Sequence, residues 1–326
     1  MPNILFASNN ISHWPMSVSS TLAGTFDPTR VPYSLKVGWL ENFATPDFPE
    51  SASTVTWIHF RNWFNSFEEN EVPDLLRIFD ASNNLLVRLF KYEVYGEFDL
   101  GLMLYNDGTG SGVKAGFALN KATMNSIDVK ITITAGTLDA DLYINGGLAG
   151  TKSFAANDGN YTNPTHFAIG SAFCNDSGSD FTYFSEFIVA DGDTRNARMS
   201  LLRPTASGGE TDWVGVATEL ADNDPTSGMT SIAANERETL DFTAYTGASN
   251  ISSVVIATQS VAGVNAPQNI RHTVRLSTVN YDSAADIPVG ITLQYDQTDF
   301  QLNPATSLPW VAGDLTGMEF GFISKA

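Results

Sequence analysis

An all-β protein of two domains is the fold class the sequence predicts, and three observations predict it. Short runs rich in β-branched and aromatic residues recur between turn signals, as in sandwiches and barrels. Helical periodicity is almost absent. The 326 residues exceed the span of one compact core, and 26 Gly and 14 Pro punctuate them. Apolar residues make up 43% and charged ones 16%, the balance of a globular chain rather than a disordered one.

Along the chain, the first expected strands are 55–61, 75–80, 85–95, 98–105, 113–119, 127–134, 141–145, 166–169 and 183–190. Residues 127–134 show the pattern most plainly. Ile127, Val129, Ile131 and Ile133 are apolar while Asp128, Lys130, Thr132 and Thr134 are polar, so one face is buried and the other wet. The same alternation places Trp57, His59, Arg61 and Trp63 on one face, with core or interface packing expected before sugar stacking. Ser82-Asn83-Asn84, Asn106-Asp107-Gly108 and Asn145-Gly146-Gly147 tolerate positive φ, and antiparallel hairpins follow. Pro204-Thr205-Ala206-Ser207-Gly208-Gly209-Glu210 reads as a linker or exposed crossing. The expected domains are therefore 1–203 and 213–326, with a linker at 204–212. Strands at 239–245, 251–262, 270–278, 289–295 and 317–323 are spaced like a smaller C-terminal sandwich or barrel.

The formal charge of −19 is spread over both parts: 13 Lys/Arg face 22 Asp/Glu up to Arg203, and 4 face 14 after it. No basic cluster offers counterion release, so nucleic acid and anionic membranes are not expected partners. The single cysteine, Cys174, cannot form an intrachain disulfide, and no Cys/His group has zinc spacing. Met1-Pro2-Asn3-Ile4-Leu5-Phe6 lacks the basic and apolar regions of a signal peptide, and no stretch approaches a membrane span. Synthesis and folding in a cytoplasm is the expectation.

Three successive stretches carry a family resemblance. They are Leu75-Leu76-Arg77-Ile78-Phe79-Asp80 followed by Leu85-Leu86-Val87-Arg88-Leu89; residues 127–134 leading into Asp141-Leu142-Tyr143-Ile144-Asn145-Gly146; and the closing Tyr183-Phe184-Ser185-Glu186-Phe187-Ile188-Val189-Ala190-Asp191. In this order they resemble the laminin-G-like or concanavalin-A-like jelly roll. Residues 185–195, through Leu202-Arg203-Pro204 to Trp213, resemble the junction in virion structural proteins of tailed bacteriophages, where a jelly roll precedes a second β module. The resemblance implies a non-enzymatic particle component, such as a tail fibre, tail tip or capsid-surface decoration. It also implies synthesis in the host cytoplasm, contact with other virion proteins and homo-oligomers, among which trimers are common.

Concanavalin-like folds also host glucanases, whose acid and nucleophile need Glu-x-Asp-x-x-Glu. Glu97 and Asp99 supply two positions but Leu102 stands at the third, so no catalytic residue is assigned and both acids are read as a strand's solvent face. His13, His59, His166 and His272 stand in no hydrolase motif. Calcium is the expected cofactor if any. Asp107, Asp191 and Asp193, with Asp176 and Asp180, lie in Gly- and Ser-rich turns that offer hard oxygen ligands, though none has EF-hand spacing. Asp191-Gly192-Asp193 equally suits a turn cap paired with Arg195 or Arg198. For a host-surface glycan the candidates are Asn157, Asp158, Asn160 and Tyr161, since a ring face stacks on a sugar while amides and carboxylates read hydroxyls. Residues 222–225 read as an exposed loop. The function classes that follow are a particle structural protein, a lectin-like adhesion module and, from fold analogy and the Glu97-x-Asp99 pair only, a polysaccharide-degrading enzyme.

Overall fold

The computed structural model describes residues 2–8, 27, 30–31, 34–37, 43–44, 47–64, 74–94, 97–106, 109–113, 123–154, 161–170, 182–221, 224, 226–248, 250–263 and 267–326. They divide into two compact units, Pro2–Met199 and Ser200–Ala326. Among them there is no α-helix, only strands and two short 3-10 turns.

The first unit is a jelly-roll sandwich. Its strands are β1 (Ile4–Ser8), β2 (Leu35–Val37), β3 (Phe43–Ala44), β4 (Val55–Phe64), β5 (Asp74–Asp80), β6 (Leu85–Val94), β7 (Glu97–Asn106), β8 (Thr109–Val113), β9 (Asn125–Thr134), β10 (Thr137–Ile144), β11 (Gly147–Phe154), β12 (Pro164–Ile169) and β13 (Thr182–Ala190). A seven-stranded sheet runs β1-β13-β4-β9-β10-β11, with β2 also on β13; a six-stranded sheet runs β3-β12-β5-β6-β7-β8. The alternation read in the sequence decides which residues meet between them. Ile58, Phe60, Ile127, Val129, Leu142, Phe184 and Phe187 of the first sheet share one core with Leu76, Ile78, Val87, Leu89, Leu102, Leu104 and Phe167 of the second. Phe60, Phe184 and Phe187 lie with ring centroids 5.7–5.8 Å apart. Burying each such ring contributes about 1.5–3 kcal/mol.

Turn chemistry behaves as the sequence indicates where it is described. Asn145 and Gly146 take φ of 51° and 82°, the pair of positive values a two-residue hairpin requires. Asn83 has φ 61°, and Asp80 Oδ1 accepts from the Ser82 and Asn84 amides at 2.9 Å. The turn expected at 106–108 and the strand expected at 113–119 lie largely outside the described residues.

The second unit pairs β14 (Pro204–Thr211), β15 (Arg237–Phe242), β21 (Met318–Lys325), β17 (Asn269–Leu276) and β18 (Val279–Asp282) in that order, with β19 (Ile287–Pro288) on β17. A two-stranded ribbon of β16 (Val254–Ser260) and β20 (Gln294–Phe300) packs its Val254, Ile256 and Phe300 against Val274, Phe320 and Trp310. The Trp310 indole donates to the Phe300 carbonyl at 2.6 Å, which satisfies its only polar atom inside the core. The opposite face of this sheet is polar: Arg237 pairs with Asp282, and Arg275 with Glu319 and Glu210.

Two expectations are corrected here. Of the stretch 204–212, residues 204–211 form the edge strand β14 rather than a linker. Gly208 and Gly209 carry no side chain to hold off Glu319 and Arg275, and Glu319 Oε2 accepts the Gly209 amide at 2.8 Å. The composition of a flexible connector therefore serves close packing. The strand expected at 289–295 begins only at Gln294. Ile291 and Leu293 precede it as exposed side chains, and the pairing with β16 runs from Ser260↔Gln294 to Val254↔Phe300.

Candidate functional site

The outer face of the six-stranded sheet, opposite the core, gathers side chains of unusual kind for so acidic a chain. Arg77 on β5 stands directly opposite Arg88 on β6, and the row continues to Ala168 on β12 and Met103 on β7. Like charges facing each other across a ladder destabilise it unless something neutralises them. Asp74, brought in by a register shift at the start of β5, does part of this: Arg88 Nε donates to Asp74 Oδ1, and Arg77 Nε lies 3.5 Å from Asp74 Oδ2. Burial raises the Asp74 carboxyl above its ordinary pKa, against the Arg88 hydrogen bond that lowers it. Arg77 Nε and Nη2 are buried and make no hydrogen bond.

Aromatic groups border this row. His166 and Phe79 stack with centroids 5.1 Å apart and planes 8° from parallel, and Asp47 Oδ1 lies 3.6 Å from His166 Nδ1. On the other side the Arg88 guanidinium sits 5.0 Å above the Phe90 ring, a cation–π contact. Phe90 lies flat over Gly101, where a Cβ would run into the ring. Gly101→Ala is expected to destabilise the unit by about 1–3 kcal/mol through this overpacking. Urea unfolding checks it, and an unchanged midpoint would mean that the ring relocates freely.

The outer face of the seven-stranded sheet is built differently. Trp57, His59, Arg61 and Trp63 do share it, but the segment after β13 folds back over part of it. Asp128 Oδ1 accepts from His59 Nδ1 at 2.8 Å and from the Thr194 hydroxyl at 2.8 Å, and neither side chain of the His59–Asp128 pair has any exposure. Arg195 caps the stack of Trp57 and Tyr143, 4.8 Å above the tyrosine ring. Arg198 makes two 2.8 Å bonds to the buried Glu186, whose φ of 53° marks the bulge in β13. The sealed His59–Asp128 pair resembles two members of a hydrolytic triad, yet no substrate reaches it.

The sequence candidates fall in different places. Asp107, Asp176, Asp180, Asn157, Asp158, Asn160 and His13 lie outside the described residues. Tyr161 is not a loop platform but a core residue, 8% exposed among the two sheets' apolar side chains, because its ring completes the hydrophobic cluster. Asp191 accepts the Asn3 amide and side chain at 2.7 and 2.6 Å. Asp193 pairs with Arg195, whose hydrogen bond holds it below the ordinary carboxylate range. Both aspartates thus tie down the turn, and no group of three or more His, Cys, Asp or Glu converges on a metal position among the described residues. Glu97 and Asp99 pair through their backbones with Val94 and Tyr92, and Leu102 is in the core. Asp224 caps its own turn through Thr226. His272 lies between the sheet and ribbon of the second unit, bonded to Thr258 and Thr298. The sequence reading did not single out Arg77, Arg88 or Asp74. The signal was a lone arginine inside each of two apolar runs, 75–80 and 85–89.

Neither a family model nor a curated protein sequence matches the chain. Among solved structures it is similar to the cellulose-induced protein Cip1, with 12% identity, a TM-score of 0.41 and coverage of 57% of this chain and 97% of that one. It is also similar to the CBM2 module of the evolved Dit protein of Lactobacillus casei BL23 phage J-1, with 13% identity, a TM-score of 0.33 and coverage of 47% and 70%. A third is the receptor-binding domain of botulinum neurotoxin C/D mosaic serotype, with 8% identity, a TM-score of 0.38 and coverage of 72% and 66%. At these values the likenesses carry no weight for ligand or activity.

Proposed function

We propose that the chain is a non-enzymatic structural protein of a tailed bacteriophage particle, made in the host cytoplasm, whose jelly roll attaches to host-surface glycan. The observation that carries the binding half is the outer face of the six-stranded sheet, where the partly exposed guanidiniums of Arg77 and Arg88 adjoin the stacked Phe79–His166 pair and Met103. Donors beside ring and thioether surface suit a sugar, which presents hydroxyls at its edge and C–H groups on its face. The particle half is supported by the junction resemblance at 185–213. Assembly with other virion proteins or with further copies of the chain is supported by exposed apolar side chains. Ten of the eleven large ones among the described residues, including Val214, Ile232, Ile291 and Leu308, belong to the C-terminal unit. A non-enzymatic role is consistent with the burial of the His59–Asp128 pair.

Mass spectrometry of purified particles is expected to find the chain at stoichiometric abundance, and its absence would end the particle reading. A glycan array probed with the full chain, with and without calcium, tests attachment and the calcium dependence together. No binding above background in either condition would remove the glycan reading.

A further inference from the structure

We propose that the outer face of the six-stranded sheet binds a carboxylate-bearing sugar, a uronic acid unit of an acidic polysaccharide, through Arg77 and Arg88. This rests on the glycan-binding reading above and names its ligand class. Two guanidiniums face each other across β5 and β6 and share the single carboxylate of Asp74, while Asp47 lies beside His166 at the edge of the row. The Arg77 and Arg88 side chains retain 16% and 20% exposure. They are shielded enough for an unmatched charge to be costly and open enough for a ligand to enter. A planar carboxylate fits two adjacent guanidinium forks and accepts from both, which a hydroxyl cannot do as strongly.

The surroundings favour a sugar over a free anion. Met103 on one flank and the Phe79–His166 stack on the other offer apolar and π surface to the C–H face of a pyranose ring whose carboxylate reaches the arginines. Asp74 fixes the two side chains in place before the ligand arrives, so little rotamer freedom is lost on binding.

The test is isothermal titration calorimetry of the full chain with four oligosaccharides of equal length: an oligogalacturonate, its methyl ester, a sulfated glucan and a neutral glucan. The oligogalacturonate is expected to bind at least tenfold more tightly than its methyl ester. Arg77→Ala and Arg88→Ala are each expected to lose that preference, and Arg77→Lys, which keeps the charge without the fork, to retain only part of it. Near-UV circular dichroism establishes that each variant is folded, and the ester comparison needs no variant. Equal binding of the acid and its ester overturns this inference while leaving glycan attachment standing, as does tighter binding of the sulfated glucan. Failure of all four ligands here, together with an empty glycan array, overturns both.

Discussion

Asp128→Ala is expected to lower the stability of the jelly roll by about 3–5 kcal/mol, because it removes one partner from a fully buried polar cluster. Asp128 Oδ1 receives bonds from His59 Nδ1 and the Thr194 hydroxyl, and His59 Nε2 has no other partner among the described residues. Without the carboxylate, an imidazole and a hydroxyl are left in a dry site with nothing to bond, and each such group costs about 1–3 kcal/mol. Asp128→Asn keeps one acceptor oxygen and is expected to cost less. The local effect is as telling as the global one. Thr194 anchors the segment that carries Arg195 and Arg198, so the alanine variant is expected to be cut by trypsin at these arginines faster than the wild type. Guanidinium unfolding and timed trypsin digestion measure the two effects. A loss below about 1 kcal/mol would show the cluster to be dispensable.

The second unit is expected to hold two opposed pH dependences. Burial lowers the His272 pKa to about 4 from its ordinary value of 6.5, and the ring lies between the Thr258 and Thr298 hydroxyls. Between about pH 4 and 6.5 the unfolded chain binds a proton there that the folded chain does not, so this group makes stability rise with pH. The rise amounts to about 3 kcal/mol. Asp299, on β20 beside Thr298, behaves in the reverse sense. Burial raises its pKa to about 7 from 3.8, against the hydrogen bond from Gln301 that lowers it. Its contribution is complete below about pH 3.8 and is lost as the pH rises through 7, by roughly 3 kcal/mol once partial solvent screening is allowed for. In the wild type these two slopes are thus expected to oppose each other between pH 4.5 and 6.5. Asp299→Asn should expose the upward slope of His272, and His272→Gln the downward slope of Asp299. Urea unfolding free energies at half-unit pH steps check this, and parallel curves for all three proteins would refute it.

Much of the fold was legible in the sequence because strand periodicity is a local property. The alternation of Ile127 to Thr134 placed the core side chains correctly, and Asn145-Gly146 located a hairpin. What covers a sheet's outer face is not local. His59 and Asp128 meet through strand pairing, and Thr194 closes over them from a segment far along the chain, so no short window contains the cluster. Tyr161 misled for the opposite reason. Its neighbours have loop composition, yet the phenol itself turns into the core. Residues 204–211 showed glycines suited to a connector, whereas the strand that pairs with them is β15, and the side chains packed on Gly208 and Gly209, Glu319 and Arg275, lie farther still along the chain. Arg77 and Arg88 were visible as lone cations in apolar runs, but only the register of β5 on β6 sets them face to face.

The order of strands in the second unit bears on how it is made. β21 is the last of its strands in sequence and lies between β15 and β17 in the sheet. A nascent polypeptide that has emerged only as far as Leu315 therefore carries two bare edges that nothing yet joins, one on each side of the missing strand. Ribosomal pausing before Met318 would prolong that state and invite intermolecular pairing, so this unit is expected to depend on rapid completion or on chaperone cover during synthesis.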